Sequence, residues 1–295
     1  MLTRSESRQI EHDGFSTLHD YWLNSLFAGE PFLQDGVLVY YDGRIATICG
    51  FSLRNKQAIE PALCRRVAQE WVTNRGAENI IFIGPGRVDF CCLSKVGLRK
   101  VWEEHPRPIS AELFIDCTEQ ADSIFQRRVY KRARSLAFEL TIRRGGIVSA
   151  EHFHLIETFY AERRLTAFLA EVLFMLPVLL RSSRVRLIEA RKEGRLCGFA
   201  MVHKPFCDTA SGLFMMCNHS NRGVSDFLYS VMLEQTLALG ASSLNLGPSP
   251  SPGHFNFKMK WGGEAKVPPY YFVQWGRGVL GRRFHTSWGP RILHL

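Results

Sequence analysis

Apolar and polar positions fall into the same succession of patterns twice along this chain. Gly36–Tyr41 and Arg44–Phe51 are β-rich runs joined by Asp42-Gly43, a pair that signals a tight hairpin. Ile59, Leu63, Val67 and Trp71 then recur at helical spacing until Gly76. A short apolar run, Asn79–Ile83, follows and is closed by Gly84-Pro85-Gly86, as expected of a buried strand. Further on, Arg186–Arg191 and Leu196–Lys204 flank Glu193-Gly194, and one additional strand, Ser211–Cys217, is inserted. A helix carrying Phe227, Val231, Leu233 and Leu237 runs to Gly240, and Ser243–Leu246 is a strand closed by Gly247-Pro248. The phrases NRGAENIIFIGPG and ALGASSLNLGPSP occupy equivalent places, which points to a duplicated hairpin–helix–strand unit.

Between the two copies the pattern predicts a strand at Ala111–Cys117, a basic helix over Gln120–Ala137 and a strand at Glu139–Arg143. Two helices follow, Ala150–Arg163 and an apolar one reaching Leu180. A last strand, Pro269–Trp275, is expected to complete the second half. The boundary is placed near residue 118, giving halves of 1–118 and 119–295, with no Gly/Ser- or Pro-rich linker between them. The longest apolar stretch, Phe168–Leu180, is broken by Glu171 and Pro177 and is too short to span a bilayer. The first residues, MLTRSESRQIEHDG, are polar and lack an apolar signal core. The expected location is therefore the cytoplasm with no integral membrane association, although a peripheral contact through a basic surface stays open.

Composition sharpens this picture in two respects. Lys and Arg number 37 against 28 Asp and Glu, a formal net charge of +9. Such an excess suits RNA, phosphate-rich ligands or an anionic membrane face, or simply keeps the protein away from its isoelectric point. The eight cysteines sit largely in apolar runs, without C-x-x-C or Cys/His ligand spacing. That argues for free thiols packed as small hydrophobes and against a zinc site or a disulfide framework.

The element order of the second half is strand, two helices, a three-strand meander, helix, strand and a glycine-rich bend. It resembles the GNAT acyltransferase fold, and more closely its Fem-like branch, in which two GNAT-like halves occur in tandem. Three features carry the resemblance: the hairpin Ile188–Ala200 (IEARKEGRLCGFA), the helix–Gly240–strand–Gly247 succession, and Phe255-Asn256-Phe257-Lys258-Met259-Lys260-Trp261-Gly262-Gly263. The last is similar to the branch's Phe-Lys-x-x-[Phe/Trp]-Gly signature. The resemblance implies an α/β (mixed α+β) chain of tandem GNAT-like domains, each a twisted central sheet flanked by helices. It also implies transfer of an acyl group to an amine, from aminoacyl-tRNA or from acyl-CoA, with chemistry in the second half. CoA-binding members carry a Gln/Arg-x-x-Gly-x-Gly/Ala loop before the central helix, where backbone N–H groups cradle pyrophosphate. This chain has Asn218–Ser225 there, which keeps Arg222 and one glycine without the spacing, and Leu53–Ala58 in the first half has no glycine. These departures agree with Fem-type members.

By resemblance Lys258 matches the lysine facing the reaction centre, where an ammonium would stabilise an oxyanion or a leaving group; a solvated surface lysine is the alternative. Lys260 is a candidate phosphate contact, and Phe257 and Trp261 are candidate walls of the site. His254, in a flexible loop after Gly253, is either a proton shuttle or a cap of the next helical turn. Ser249 and Ser251 lie in GPSPSPG after a strand, a place suited to ligands or to a stiff wall. Asn245 and Tyr229 are polar positions in apolar elements, facing substrate or satisfied within the core.

Arg127, Arg128, Lys131, Arg132 and Arg134 share a helix face able to grip the phosphates of tRNA, or are a solvated face, and Arg222 is a further phosphate candidate. Arg143-Arg144, and the tail with Trp275, Arg277, Arg282, Arg283, Phe284, Trp288 and Arg291, form a second basic-aromatic group. It would stack on RNA ends or latch the C-terminus to the core. The expected activity is aminoacyl transfer from aminoacyl-tRNA to the amine of a peptide or cell-wall-type acceptor, with no metal or organic cofactor. The rivals are an acyl-CoA- or acyl-carrier-dependent N-acyltransferase of the same fold and a non-catalytic RNA-binding protein.

Overall fold

In the computed structural model the described residues are 1–53, 57–105, 111–118, 124–162, 176–218, 220–249 and 251–277. Two compact units are present. The first comprises Met1–Leu113, Gly247–Phe255 and residues 265–277; the second comprises Phe114–Leu246 and Asn256–Glu264. The chain thus returns to its first unit after leaving it, where the sequence pattern suggested one crossing near 118.

In the first unit, helices α1 (Arg4–Asp13) and α2 (Tyr21–Ala28) precede strands β1 (Glu30–Gln34), β2 (Val37–Tyr41) and β3 (Ile45–Cys49). Then come α3 (Pro61–Arg75), β4 (Asn79–Gly84) and β5 (Arg99–Glu104). Asp35 and Gly36, both with positive φ, join β1 to β2 in a two-residue turn of the kind that Asp-Gly favours. Pro61 opens α3, where its missing N–H is not needed, and Gly76 ends it in the left-handed conformation. Cys64, Val67, Ala68, Trp71 and Val72 form the buried stripe of α3, packed with Ile48 and Phe82 of the sheet. The ring of Trp71 meets Phe32 and Tyr41 at centroid distances of 5.2 and 5.0 Å. Strands β3 and β4 are parallel, as a helical crossover requires.

The last strand, β13 (Tyr271–Gly276), lies in this first sheet, between β4 and β5 and antiparallel to both. The expectation that it would end the second half is corrected. Its apolar run Tyr-Phe-Val-Gln-Trp fits any fully covered strand, and all six residues of β13 are buried. Local pattern does not say which sheet receives such a strand. The first sheet has the order β1-β2-β3-β4-β13-β5.

The second sheet draws on β6 (Glu112–Asp116), β7 (Glu139–Arg144), β8 (Val185–Lys192), β9 (Arg195–His203), β10 (Thr209–Cys217), β11 (Ser243–Asn245) and β12 (Glu264–Val267), in the order β12-β6-β11-β10-β9-β8-β7. The meander β8-β9-β10 is antiparallel, as expected, with Glu193 and Gly194 both at positive φ in its first turn. Helices α4 (Arg128–Arg134), α5 (Ala150–Glu162) and α6 (Val224–Ala238) and helical residues 176–181 belong to the unit, and α7 spans Pro252–Lys260. The two faces of the sheet are set by alternation along β9. Phe199 meets His152 of α5 at 5.0 Å, whereas a Cβ at Gly198 would press on Val224 and Leu228 of α6. Gly198, and Gly212 under Met232, therefore let α6 lie close to the sheet.

The basic helix is shorter than expected, Arg128–Arg134 in place of Gln120–Ala137, with Arg127 extended before it and a 3-10 turn at Ile124–Gln126. Residues 119–123 and most of the apolar stretch before Leu180 lie outside the described residues, as do Arg54–Lys56, His219, Pro250 and the tail from residue 278. No described helix is long and apolar enough to cross a membrane.

Candidate functional site

Strands β10 and β11 are parallel neighbours over three residue pairs, Thr209↔Ser243, Ala210↔Leu244 and Ser211↔Asn245. Beyond that point β10 continues to Cys217, paired with β9, while β11 ends. Among the described residues, the β10 edge from Gly212 onward has no strand on its β11 side. The two strands part here.

Lys258 reaches this parting point. Its side chain comes from the last turn of α7, is only 7% exposed, and its Nζ donates to the carbonyl oxygen of Leu246 at 2.7 Å, one residue past β11. A solvated surface lysine is therefore not what the fold contains. Three aromatic residues of the same unit pack on one another next to α7 and α6. Tyr229, buried on α6, meets the Phe257 ring edge-on at 4.8 Å and the Trp261 ring at 5.7 Å. Burial raises the Tyr229 phenol well above its ordinary value, so it stays protonated at neutral pH. Trp261 is fully buried and its Nε1 donates to Asp226 Oδ1 at 3.1 Å. The same oxygen pairs with Lys260 Nζ at 2.6 Å, and that ammonium also lies 5.2 Å from the Phe257 ring centroid. Lys260 thus braces α7 against α6 through Asp226. Gly262, at φ +83°, ends this segment in a position where a Cβ would collide with the Arg127 guanidinium.

Asn245 is fully buried at the end of β11, in register with Ser211 of β10, which stands opposite His203 of β9. The three polar side chains form a row across the sheet beneath the parting strands, and Ser211 Oγ has no hydrogen-bond partner among the described residues. His254, Ser249 and Ser251 belong to the other compact unit. His254 is exposed and its Nδ1 is 2.8 Å from Ser251 Oγ, a local contact at the start of α7. Ser249 is buried, with its hydroxyl unpartnered among the described residues.

Of the basic residues, Arg127, Arg128, Lys131, Arg132 and Arg222 are exposed or half-buried, and none has an ion-pair partner among the described residues. Arg134 differs. It pairs with Glu234 of α6 at 2.8 Å and lies over the Phe227 ring, so it serves the packing of α4 on α6. Arg143 likewise is engaged with the buried Glu189 at 2.6 Å. Two participants have no place in the sequence signature, Asp226 and the Leu246 carbonyl. Asp226 stands three residues before Tyr229 on α6, hence on the same face, which is a signal the sequence does carry. A carbonyl oxygen leaves no signal in side-chain identity.

By sequence, no protein-family model and no curated protein matches the chain. Solved structures do match it. A conserved protein of unknown function from Bacteroides thetaiotaomicron superposes with a TM-score of 0.61 at 10% identity, over 92% of this chain and 96% of that one. FemX superposes with a TM-score of 0.56 at 11% identity, over 92% and 96%. The fold is similar to that of FemX. The C-terminal domain of a putative lysylphosphatidylglycerol synthetase from Agrobacterium fabrum shares it, with a TM-score of 0.52 at 15% identity over 99% of this chain and all (100%) of that one. The parting of β10 and β11, the segment Phe257–Trp261 and the N-terminal half of α6 lie within one unit.

Proposed function

We propose that this chain is an amide-forming acyltransferase whose donor is aminoacyl-tRNA and whose acceptor is the amine of a peptide or cell-wall-type molecule. The observation that carries the reading is the buried Lys258 ammonium at the parting of β10 and β11, held by the Leu246 carbonyl. A cation in such surroundings is poorly screened and acts strongly on charge that develops near it. In aminolysis the amine nitrogen bonds to the acyl carbon, and the carbonyl oxygen becomes an oxyanion. The ester C–O bond then breaks, and the nitrogen's proton passes to the departing ribose oxygen, directly or through solvent. Lys258 stabilises the oxyanion, and the β10 edge, which has no described strand beside it from Gly212 onward, holds an extended substrate by main-chain hydrogen bonds. The likeness of the fold to FemX supports acyl transfer, and the cations Arg127, Arg128, Lys131, Arg132 and Arg222 support a polyanionic donor.

A second reading, an acyl-CoA-dependent N-acyltransferase, draws on the start of α6. There Gly223 is left-handed at φ +88° and provides no side-chain cap; the Val224 N–H is taken by the Asn221 carbonyl, and a phosphate would meet the N–H groups that follow. Transfer assays with labelled aminoacyl-tRNA pools and labelled acyl-CoA pools, each with an extract of amine acceptors, separate the two. Transfer that is RNase-sensitive and lost in Lys258→Met is the expected result. Transfer from acyl-CoA alone refutes the tRNA donor and leaves the second reading. Absence of transfer from both pools refutes the two together.

A further inference from the structure

At the far edge of the second sheet, β7 ends in Arg143 and Arg144 and the chain turns through Gly145 and Gly146. The turn is built firmly. Gly145 N–H donates to the Val185 carbonyl at 2.9 Å and Gly146 N–H to the Leu180 carbonyl at 2.7 Å. Gly145 has φ +64°, and a Cβ on it would stand 2.7 Å from the Leu180 oxygen, so only glycine fits. The next residue, Ile147, is 86% exposed, the most exposed large apolar side chain among the described residues. Val178, on the adjoining helical residues 176–181, is 40% exposed.

Arginines crowd this same edge. Arg144 is cross-strand to Arg186, a like-charge pair that opposes pairing of the strands. Arg181 and Arg184 are exposed on the turn that the glycines contact. No Asp or Glu occurs in 143–150 or 176–188. The nearest carboxylates in sequence are engaged elsewhere, Glu189 with Arg143 and Glu151 with Arg191.

We infer that the edge formed by Ile147, Arg144, Arg181 and Arg186 is a docking surface for an anionic lipid bilayer. Such a bilayer offers both things the edge is made for: phosphate headgroups for the arginines and, just beneath them, an apolar layer for Ile147. RNA fits less well. Its bases are gripped by stacking, and 143–150 and 176–188 contain no aromatic residue. A fixed glycine turn also holds the isoleucine out in advance, so little order is lost on insertion. The inference stands apart from the proposed chemistry and uses none of its residues.

The test is sedimentation of the full chain with vesicles of phosphatidylcholine alone and of roughly one-third phosphatidylglycerol in phosphatidylcholine. Expected is salt-sensitive binding to the anionic vesicles, at least about tenfold stronger than to the neutral ones. Ile147→Ser is expected to weaken it about tenfold, and Arg144→Ser or Arg186→Ser about fivefold each. Lys131→Ser, an exposed cation on α4, serves as the control and is expected to leave vesicle binding unchanged. Thermal unfolding of each variant confirms that the fold is intact. Equal binding to both vesicle types overturns the inference, as does unchanged vesicle binding in Ile147→Ser. It is equally overturned if Arg144→Ser and Arg186→Ser weaken binding of bulk transfer RNA while leaving the vesicles untouched.

Discussion

The ammonium of Lys258 and the carbonyl oxygen of Leu246 lie 2.7 Å apart, tying the last turn of α7 to the end of β11 where that strand leaves β10. One hydrogen bond thereby fixes a positive charge at the mouth of an opened sheet. Lys258→Met keeps the length and the apolar stem but removes the charge. It is expected to lower the rate of acyl transfer by about a hundredfold or more, with the fall in kcat and little change in KM. Steady-state kinetics on the variant, beside its circular dichroism spectrum, checks this; unchanged kcat contradicts the role.

Asp226 holds two partners, and their contributions are expected to differ widely. Trp261→Ala removes a fully buried indole and should destabilise the protein by about 3–5 kcal/mol. Lys260→Ala removes a half-exposed ammonium from the same carboxylate and should cost no more than about 1 kcal/mol. Urea unfolding of the two variants measures both. Similar losses would mean that Lys260 is more than a surface brace.

His19 predicts a pH dependence of the first unit. It is fully buried, its Nε2 lies 3.3 Å from the Phe51 carbonyl, and its ring packs on Phe15. Burial lowers its pKa to about 4, against the bond to Phe51, which raises it. The unfolded chain therefore takes up the proton first as pH falls. Stability is fully present above about 6.5 and is lost progressively between 6.5 and 4, by an amount on the order of 3 kcal/mol. His19→Gln should flatten that limb when unfolding midpoints are compared across pH.

The basic residues should divide by their partners. Replacing Arg127, Arg128, Lys131 and Arg132 by Ala is expected to weaken transfer RNA binding. The slope of its salt dependence should fall by roughly 0.7–0.9 for each phosphate no longer neutralised. Arg134→Ala, which breaks the pair with Glu234 and uncovers Phe227, should instead lower the unfolding midpoint. Filter binding at several salt concentrations, together with thermal scans, tells these outcomes apart.

Much of the fold is legible in the sequence because its signals are local. The Glu193-Gly194 turn, the stripe Val67–Trp71 and the stop at Gly76 are set by backbone conformations and periodicities within a few residues. The Asp35-Gly36 turn is harder to read, although its residues suit it equally well. The run before it, Glu30–Gln34, contains a proline and lies at the sheet edge, so it lacks the look of a strand. The candidate site is legible as a phrase, Phe257-Lys258-Met259-Lys260-Trp261, but not as an arrangement. Nothing in that phrase distinguishes a Lys258 turned inward from a Lys260 paired at the surface.

The sequence by itself determined the repeated hairpin–helix–strand succession, the positive charge and the signature around Lys258. Each follows from side-chain type and spacing, which act over one or two turns of chain. The tertiary structure alone decided that β13 pairs with β4 and β5, that β11 leaves β10 after three pairs, and that Leu246 presents its carbonyl to Lys258. These are pairings between segments far apart in the chain, made through backbone groups that every residue carries alike, so the choice among them rests on which combination buries the apolar faces together.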